Sequence, residues 1–374
     1  MSQFIHRYYK EEWAVYELIV RSGQQKLTTS WLDLGEVREQ MKSLSALSFR
    51  PQEIEDLRRI LPEVSPGFYM GLESIKLNVS VGEDNDGNLQ IRCAGKWWAA
   101  TFCETFIMSI LNELLSRTSS VAEQTARWQK KRMFLVTSPD LQVIDFGTRR
   151  RASKVTQRGI VSDGIETGAL KGTSNVEMAL MNGLTPIGTM AHELFMGVAA
   201  LYDHAPTSLR GTQQIVLRQW QEMYKDKLLI ALTDTWNSEF FFQDFTNDQA
   251  YEWEGLRHDS GDPYTFTKSA LSFYAGKDEI TRKKIVYSDG LTLSRIVSLH
   301  DHFSKQIQCV FGWGTDLTND CGTKVPSIVV KLMSLNGRDT VKLSDEPSKW
   351  LGSTKKISQY FQVFGSPKVP IVYS

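Results

Sequence analysis

From Ile75 to Ala94 the chain alternates apolar and polar positions. Leu77, Val79 and Val81 fall on one face, EDNDGN comes next, and Leu89, Ile91 and Cys93 resume the alternation. Period-two runs on both sides of an Asp-Gly step predict a β-hairpin. The next stretch, ETFIMSILNELLSR, sets Phe106, Ile107, Ile110, Leu111, Leu114 and Leu115 at helical spacing and predicts a half-buried helix. The first third of the chain therefore reads as α+β.

Beyond about Leu141 the pattern changes. Short apolar runs recur, each closed by a polar or glycine-rich turn: QVIDFGTRRR, LLIALTDT, EGLRHDSGDP, KIVYSDG and QCVFGWGTDL. A helical pattern usually comes after each, most plainly between Gly290 and Gln306, where Leu293, Ile296, Val297, Leu299 and Phe303 share one side. Repeated βα units build a mostly parallel sheet, often closed into a barrel, with functional groups at the carboxyl ends of the strands. Each of these runs concentrates its polar residues there. The polar stretch AEQTARWQKKR marks the expected boundary, near residues 125–140. It divides an N-terminal α+β domain (1–135) from an α/β domain (136–374) whose C-terminal tail packs back on the first.

Composition narrows the function classes. The 374 residues are 41% hydrophobic and 23% charged, as in an ordinary globular protein with a sizeable core. Lys+Arg and Asp+Glu both total 43, so no global field draws the chain to nucleic acid or to an anionic membrane. Any anion must be held locally. No apolar run approaches the roughly 18 residues of a membrane helix, and MSQFIHRYYKEEW is charged and aromatic from its start. Cys93, Cys103, Cys309 and Cys321 have no short metal-ligand spacing and read as reduced thiols. The expectation is a soluble cytoplasmic protein, or a nuclear one in a eukaryote.

Several strand-end stretches carry chemistry. GLRHDSGDP packs Arg257, His258, Asp259 and Asp262 around two glycines and a serine. A capped surface turn is the plainer reading. The sharper one has Arg257 grip a phosphate or carboxylate with its planar fork, and Asp259 or Asp262 take sugar hydroxyls or a magnesium shell. In FGWGTDLTND, Gly312 and Gly314 let backbone N–H groups converge on an anion, and Thr315 adds a hydroxyl. Leu317 stands where a dinucleotide fingerprint needs glycine. In YSDGL, Ser288 or Asp289 suits either a helix N-cap or the edge of a phosphate site. DFGTRRR supplies Phe146 and three arginines, of which Arg149 could reach inward.

The run LTPIGTMAHELFMG sets His192 beside Glu193. It is not a zinc protease helix, because Met196 replaces the second histidine of H-E-x-x-H. No G-x-S-x-G accompanies it to make the imidazole a base for a serine. An isolated histidine is most simply a core or surface residue with one hydrogen bond.

Taken together, DFGTRRR, GTSN (172–175), LTPIGTMAHE, ALTDT (231–235), GLRHDSGDP, YSDGL, FGWGTDLTND and VKLSDEPSK (341–349) closely resemble the motifs of the nicotinate phosphoribosyltransferases of NAD biosynthesis. They stand in that family's order and approximate spacing over nearly the whole chain. The resemblance implies an irregular α/β barrel with an N-terminal α+β domain, working as a homodimer with active sites at the interface. It implies the joining of nicotinate to 5-phosphoribosyl 1-pyrophosphate, giving nicotinate mononucleotide and pyrophosphate. ATP hydrolysis, with Mg2+, is coupled through a phosphorylated histidine. His192 matches the phospho-acceptor, Thr189 a substrate contact, and Arg257 and Thr315 the residues holding the phosphoribosyl group. Phe146 resembles the aromatic stacked on the pyridine ring and Arg149 a neighbouring anion contact. Asp259, Asp289, Gly290 and Gly314 complete the implied substrate-binding set.

For attack on ATP one imidazole nitrogen must be free and the other fixed, commonly by a carboxylate. Asp234 of ALTDT is the candidate and Glu193 its competitor. Ser174 bears on specificity: in the related nicotinamide enzymes an aspartate stands there, which would repel a carboxylate substrate. One departure is at the start. The family's chains open with a D-T-D-x-Y-K segment, and Met1–Tyr9 resembles the family's residues immediately after that segment. Either the true start lies upstream, or this is a shortened paralogue acting as a binding or regulatory subunit.

Overall fold

The Asp-Gly step does reverse the chain. Asp84 accepts the N–H groups of Asp86 and Asn88 at 2.9 Å, and Gly87 sits at φ +75°, a conformation that side chains resist. In the computed structural model, which describes residues 1–20, 27, 32–62, 64–225, 227–277, 282–322 and 326–366, the strands run in chain order. They are β1 (Trp13–Val20), β2 (Val79–Glu83), β3 (Leu89–Lys96), β4 (Gln142–Asp145), β5 (Gly172–Thr173), β6 (Ile230–Leu232), β7 (Gly255–His258), β8 (Lys284–Tyr287), β9 (Gln308–Trp313), β10 (Ile328–Leu335) and the short β11 (Arg338–Asp339).

The chain forms two compact units that interleave in sequence: Met1–Ile187 with Trp313–Asn336, and Gly188–Gly312 with Gly337–Ser374. In the first, β2 and β3 form the expected antiparallel hairpin, with Val81 opposite Ile91. β1 pairs antiparallel with β3 on one side and β10 on the other. The helix read from ETFIMSILNELLSR is Cys103–Leu115, burying Ile107, Met108, Leu111 and Leu115.

The polar run near residues 125–140 is no linker. It lies inside one continuous helix, Val121–Val136, capped by Ser120 Oγ at the Glu123 N–H, 3.1 Å away. Three of its cations are held in ion pairs: Arg127 and Lys131 each reach Asp320 at 2.7 Å, and Arg132 reaches Asp163 at 2.8 Å. A helix face that pairs its charges has the same composition as a linker.

The second unit is built as the βα repetition predicts. β6, β7, β8 and β9 pair in parallel in chain order, Ile230 with Gly255, Leu256 with Ile285, and Tyr287 with Phe311. Helices Pro263–Tyr274 and Leu293–Phe303 come after β7 and β8. Strands approach so closely at Gly255 that a Cβ there would lie 2.0 Å from the Lys284 carbonyl oxygen. The fold is α/β, as expected.

Two further elements of this unit frame the site. Helix His192–Tyr202 is buried at every position from His192 to Ala200, so it has no polar face to reveal its period. Helix Thr354–Phe364 packs within the second unit: the Phe364 ring stacks on Trp236 at 4.4 Å, and Asn237 Nδ2 donates to the Phe364 carbonyl at 3.1 Å. The segment leading into it, residues 340–351, is closed by a bridge between Lys342 and Leu351.

Candidate active site

At the carboxyl ends of the second unit's strands the polar residues converge on one imidazole. His192 opens its helix, and its ring is fixed at both nitrogens. Nδ1 lies 3.0 Å from Thr235 Oγ1, just beyond β6. Nε2 lies 3.0 Å from Asp259 Oδ2, just beyond β7, and 3.1 Å from Lys342 Nζ. Asp234 stands behind, with Oδ1 3.8 Å from Nε2 and without a hydrogen-bond partner.

Burial first, and then the Lys342 ammonium, lower the imidazole to about 4 from 6.5, against the opposite pull of Asp234 and Asp259. The ring is therefore neutral at physiological pH. A neutral imidazole has one N–H, so Nε2 can serve the carboxylate or the ammonium but not both. With Nδ1–H donated to Thr235, the Nε2 lone pair is turned to Lys342, which is the nucleophilic tautomer. With Nε2–H donated to Asp259, Nδ1 accepts from the Thr235 hydroxyl.

This makes a pH prediction. The unfolded chain takes up the imidazole proton near pH 6.5 and the folded chain only near 4. The ring's contribution to stability is thus fully present above 6.5 and is lost as pH falls through 4. An NMR titration of the ligand-free protein should find no His192 midpoint between pH 5 and 8; a midpoint near 6.5 would mean that the ring is not enclosed as described.

Arg257, the inner arginine of β7, organises the rest. Its Nε donates to Ser288 Oγ at 2.8 Å, Nη1 to Thr189 Oγ1 at 2.9 Å and the Met190 carbonyl at 3.3 Å, and Nη2 to Asp259 Oδ1 at 2.9 Å. Burial alone would raise the Asp259 carboxyl, but Arg257 and the imidazole hold it well below the usual carboxylate range. Asp289 is ion-paired with Lys349 at 2.8 Å, and Lys349 also donates to the Asp259 carbonyl. Gly290 comes next at φ +55°, a left-handed turn that glycine favours.

Several details differ from the sequence reading. The carboxylate at hydrogen-bond distance from the ring is Asp259; Asp234, expected in that place, is the second neighbour, and Glu193 is buried in the first turn of the same helix. Neither Ser288 nor Asp289 caps the helix after β8: Thr292 does, at the Arg295 N–H. Asp262 is a cap, accepting from the Thr265 N–H and hydroxyl at 2.7 Å. Motif spacing does not single out Lys342, Lys349, Ser260 or Thr235, nor the tie between Ser288 and Arg257. For Lys342 a signal exists: it lies between Val341 and Leu343, both fully buried, and a lysine in such a run is held inside.

The remaining expected residues belong to the first unit and gather at its own strand ends. The Phe146 N–H donates to the Trp313 carbonyl at 2.9 Å, which sets it next to Gly314 and Thr315. Thr315 is exposed at the start of a short turn of helix, Thr315–Thr318. Ser174 is tied to the Asp145 carbonyl at 2.8 Å. Asp145 itself is structural: fully buried, it accepts from the Gly147 N–H, Gln157 and Thr173. Gly147 is needed where it stands, since a Cβ would lie 2.2 Å from Thr318 Oγ1. Arg149 does not point an unpaired guanidinium at an anion site: its Nη1 lies 2.6 Å from Glu104.

The described residues hold no group of three or more His, Cys, Asp or Glu that could bind a metal, and no helix among them is long and apolar enough to cross a membrane.

Comparison with known proteins gives a consistent result. The model of the nicotinate phosphoribosyltransferase (NAPRTase) family matches residues 141–368, and that of the nicotinate phosphoribosyltransferase N-terminal domain matches residues 1–112. A nicotinate phosphoribosyltransferase from Neisseria gonorrhoeae is 35% identical, covering 98% of this chain and 95% of that protein. One from Vibrio campbellii is 34% identical, covering 93% and 85%. Among solved structures, nicotinate phosphoribosyltransferases from Porphyromonas gingivalis and Vibrio cholerae superpose with TM-scores of 0.88 and 0.89 at 28% and 29% identity. They cover 98% of this chain and 97% and 91% of theirs.

Proposed function

The chain belongs to the nicotinate phosphoribosyltransferase family and is an enzyme of that class, and we propose that it couples nicotinate mononucleotide synthesis to ATP through a phosphate on His192. In the transferase step the pyridine nitrogen bonds to C1 of the ribose as the C1–O bond to pyrophosphate breaks. Departure of pyrophosphate leaves positive charge on the sugar, so carboxylates near the ribose and cations near the leaving group act where charge develops. Asp259 and Asp289 are suited to the first role, Arg257, Lys342 and Lys349 to the second. In the coupling step the Nε2 lone pair forms a bond to the γ-phosphorus of ATP, the bond to the bridging oxygen breaks, and ADP leaves.

The observation that carries the coupling is the state of the ring. It is neutral, its Nδ1 is anchored on Thr235, and its Nε2 faces an ammonium that can turn to the phosphoryl oxygens. A phosphate there adds negative charge and strong acceptors beside Lys342 and Arg257. Magnesium accompanies the phosphates, and the assembly is a cytoplasmic homodimer in this reading. Ser174, in place of an aspartate, favours the acid over the amide.

The test is product formation from nicotinate and 5-phosphoribosyl 1-pyrophosphate, with and without ATP, together with acid-labile label from γ-labelled ATP. Wild type is expected to form nicotinate mononucleotide, to do so faster with ATP, and to take up label. Product without label would remove the phosphohistidine, and equal turnover of nicotinamide would remove the role of Ser174.

A further inference from the structure

Thr235 and Asp234 flank the imidazole, and one short segment holds both. The N–H groups of Leu343 and Ser344 donate to the Thr235 carbonyl at 3.0 and 3.2 Å. The Ser344 hydroxyl donates to Ser260 Oγ at 2.9 Å, and the Ser260 hydroxyl donates to Asp234 Oδ2 at 2.5 Å. All three side chains are closed off from solvent, with Ser344 at 0%, Asp234 at 1% and Ser260 at 2% exposure.

Ser344 stands in an unfavourable conformation. Its φ is +63°, where glycine is at ease and a Cβ is not. Three other described non-glycine residues share that region, Lys225, Leu228 and Asn336, and all are exposed. A buried serine in left-handed backbone points to a requirement for its hydroxyl, since strain of this kind persists only where the surroundings impose it.

We propose that Ser344 and Ser260 are positioning residues: a relay of two hydroxyls that fixes Oδ2 of Asp234 and so aims Oδ1 at the imidazole. Oδ1 has no hydrogen-bond partner and lies 3.8 Å from Nε2, while Oδ2 also lies 3.9 Å from Lys342 Nζ, so the buried charge faces the ring on one side and the ammonium on the other. In a buried chain each hydroxyl polarises the next, so the second serine strengthens the first. Because Ser344 reaches Asp234 only through Ser260, its effect must vanish when Ser260 is gone. The role of Asp234 toward a phosphorylated ring rests on the function proposed above; the relay itself does not.

The experiment uses the full chain with Ser344→Gly, Ser260→Ala, Ser260→Thr and the double variant Ser260→Ala/Ser344→Gly, read by thermal melting, by kcat and KM across pH, and by label on His192. Ser344→Gly is expected to melt no lower than wild type, because glycine relieves the backbone. Its kcat should nevertheless fall about tenfold with KM little changed, as for an interaction felt in the transition state. The acid limb of kcat should move to higher pH, since a carboxylate that loses a donor keeps its proton longer. The double variant should be no slower than Ser260→Ala alone, and Ser260→Thr should recover most of the rate. Losses that multiply, an unmoved acid limb, or equal defects in Ser260→Ala and Ser260→Thr would each overturn the relay. A wild type that forms product without taking label overturns the phosphohistidine instead, and the relay is then decided by the acid limb and the double variant.

Discussion

With His192→Ala, label from γ-labelled ATP should fall to background and ATP should cease to accelerate nicotinate mononucleotide formation. Among the described residues at this site, only His192 has the hydrogen-bonded ring nitrogen that the proposed coupling step would use. Removal of the ring leaves Lys342 and Asp259, which face the same nitrogen at 3.1 and 3.0 Å, to pair with each other. The fold therefore loses only about 1–3 kcal/mol, the usual result of deleting one buried hydrogen-bonding partner. The transferase rate without ATP should fall by no more than about tenfold, because the groups proposed to act on the sugar and pyrophosphate are untouched. Circular dichroism, label counting and product formation with and without ATP separate these effects. A variant that still responds to ATP would place the coupling elsewhere.

Arg257 should be the costliest single position. Its guanidinium makes four hydrogen bonds at once, to Ser288 just beyond β8, to residues 189 and 190 ahead of His192, and to Asp259. Removal by Arg257→Ala leaves a carboxylate without its main counter-charge, which costs about 3–5 kcal/mol for a buried pair. Lysine keeps the charge but not the fork, so Arg257→Lys is expected to recover part of the stability and little of the activity. We expect kcat/KM to fall at least about a hundredfold in both variants, which is about 2.7 kcal/mol of transition-state stabilisation. A pH signature comes with it. The folded Asp259 carboxyl lies well below its ordinary value, so its contribution to stability is present above that value and is lost only as pH falls far into acid. Without Arg257 that loss should begin at higher pH. Melting curves across pH and steady-state kinetics check both, and a lysine variant within about threefold of wild type would show that the fork is dispensable.

Strands are legible in this sequence, whereas the pairing between distant segments is obscure. β6 to β9 are visible because each is a short apolar run closed by a turn, and their polar ends are where the site's side chains gather. The partnership of β1 with β10 is not, because nothing local in Trp13–Val20 specifies a partner some three hundred residues later. The site divides in the same way. His192, Arg257 and Asp259 are legible as motif residues, whereas the partners of His192 lie 43, 67 and 150 residues away in the chain. Spacing cannot choose between Asp234 and Asp259 at that distance; only the geometry of the strand ends does. The arginine run hides a pairing of the same distant kind, since the charge of Arg149 is met by Glu104 from the predicted helix.

Residues 340–351 join the site late as the chain is synthesised. A ribosome delivers His192, Asp234 and Asp259 well before Lys342. A nascent chain folded that far would have two carboxylates beside the imidazole and no ammonium to oppose them, which raises the proton affinity of the ring relative to the finished protein. Docking of residues 340–351, which the helix stacked on Trp236 through Phe364 comes directly after, brings in the Lys342 ammonium that opposes that proton. The imidazole thus gains its ammonium neighbour late in translation, after the strand ends that supply its two carboxylates.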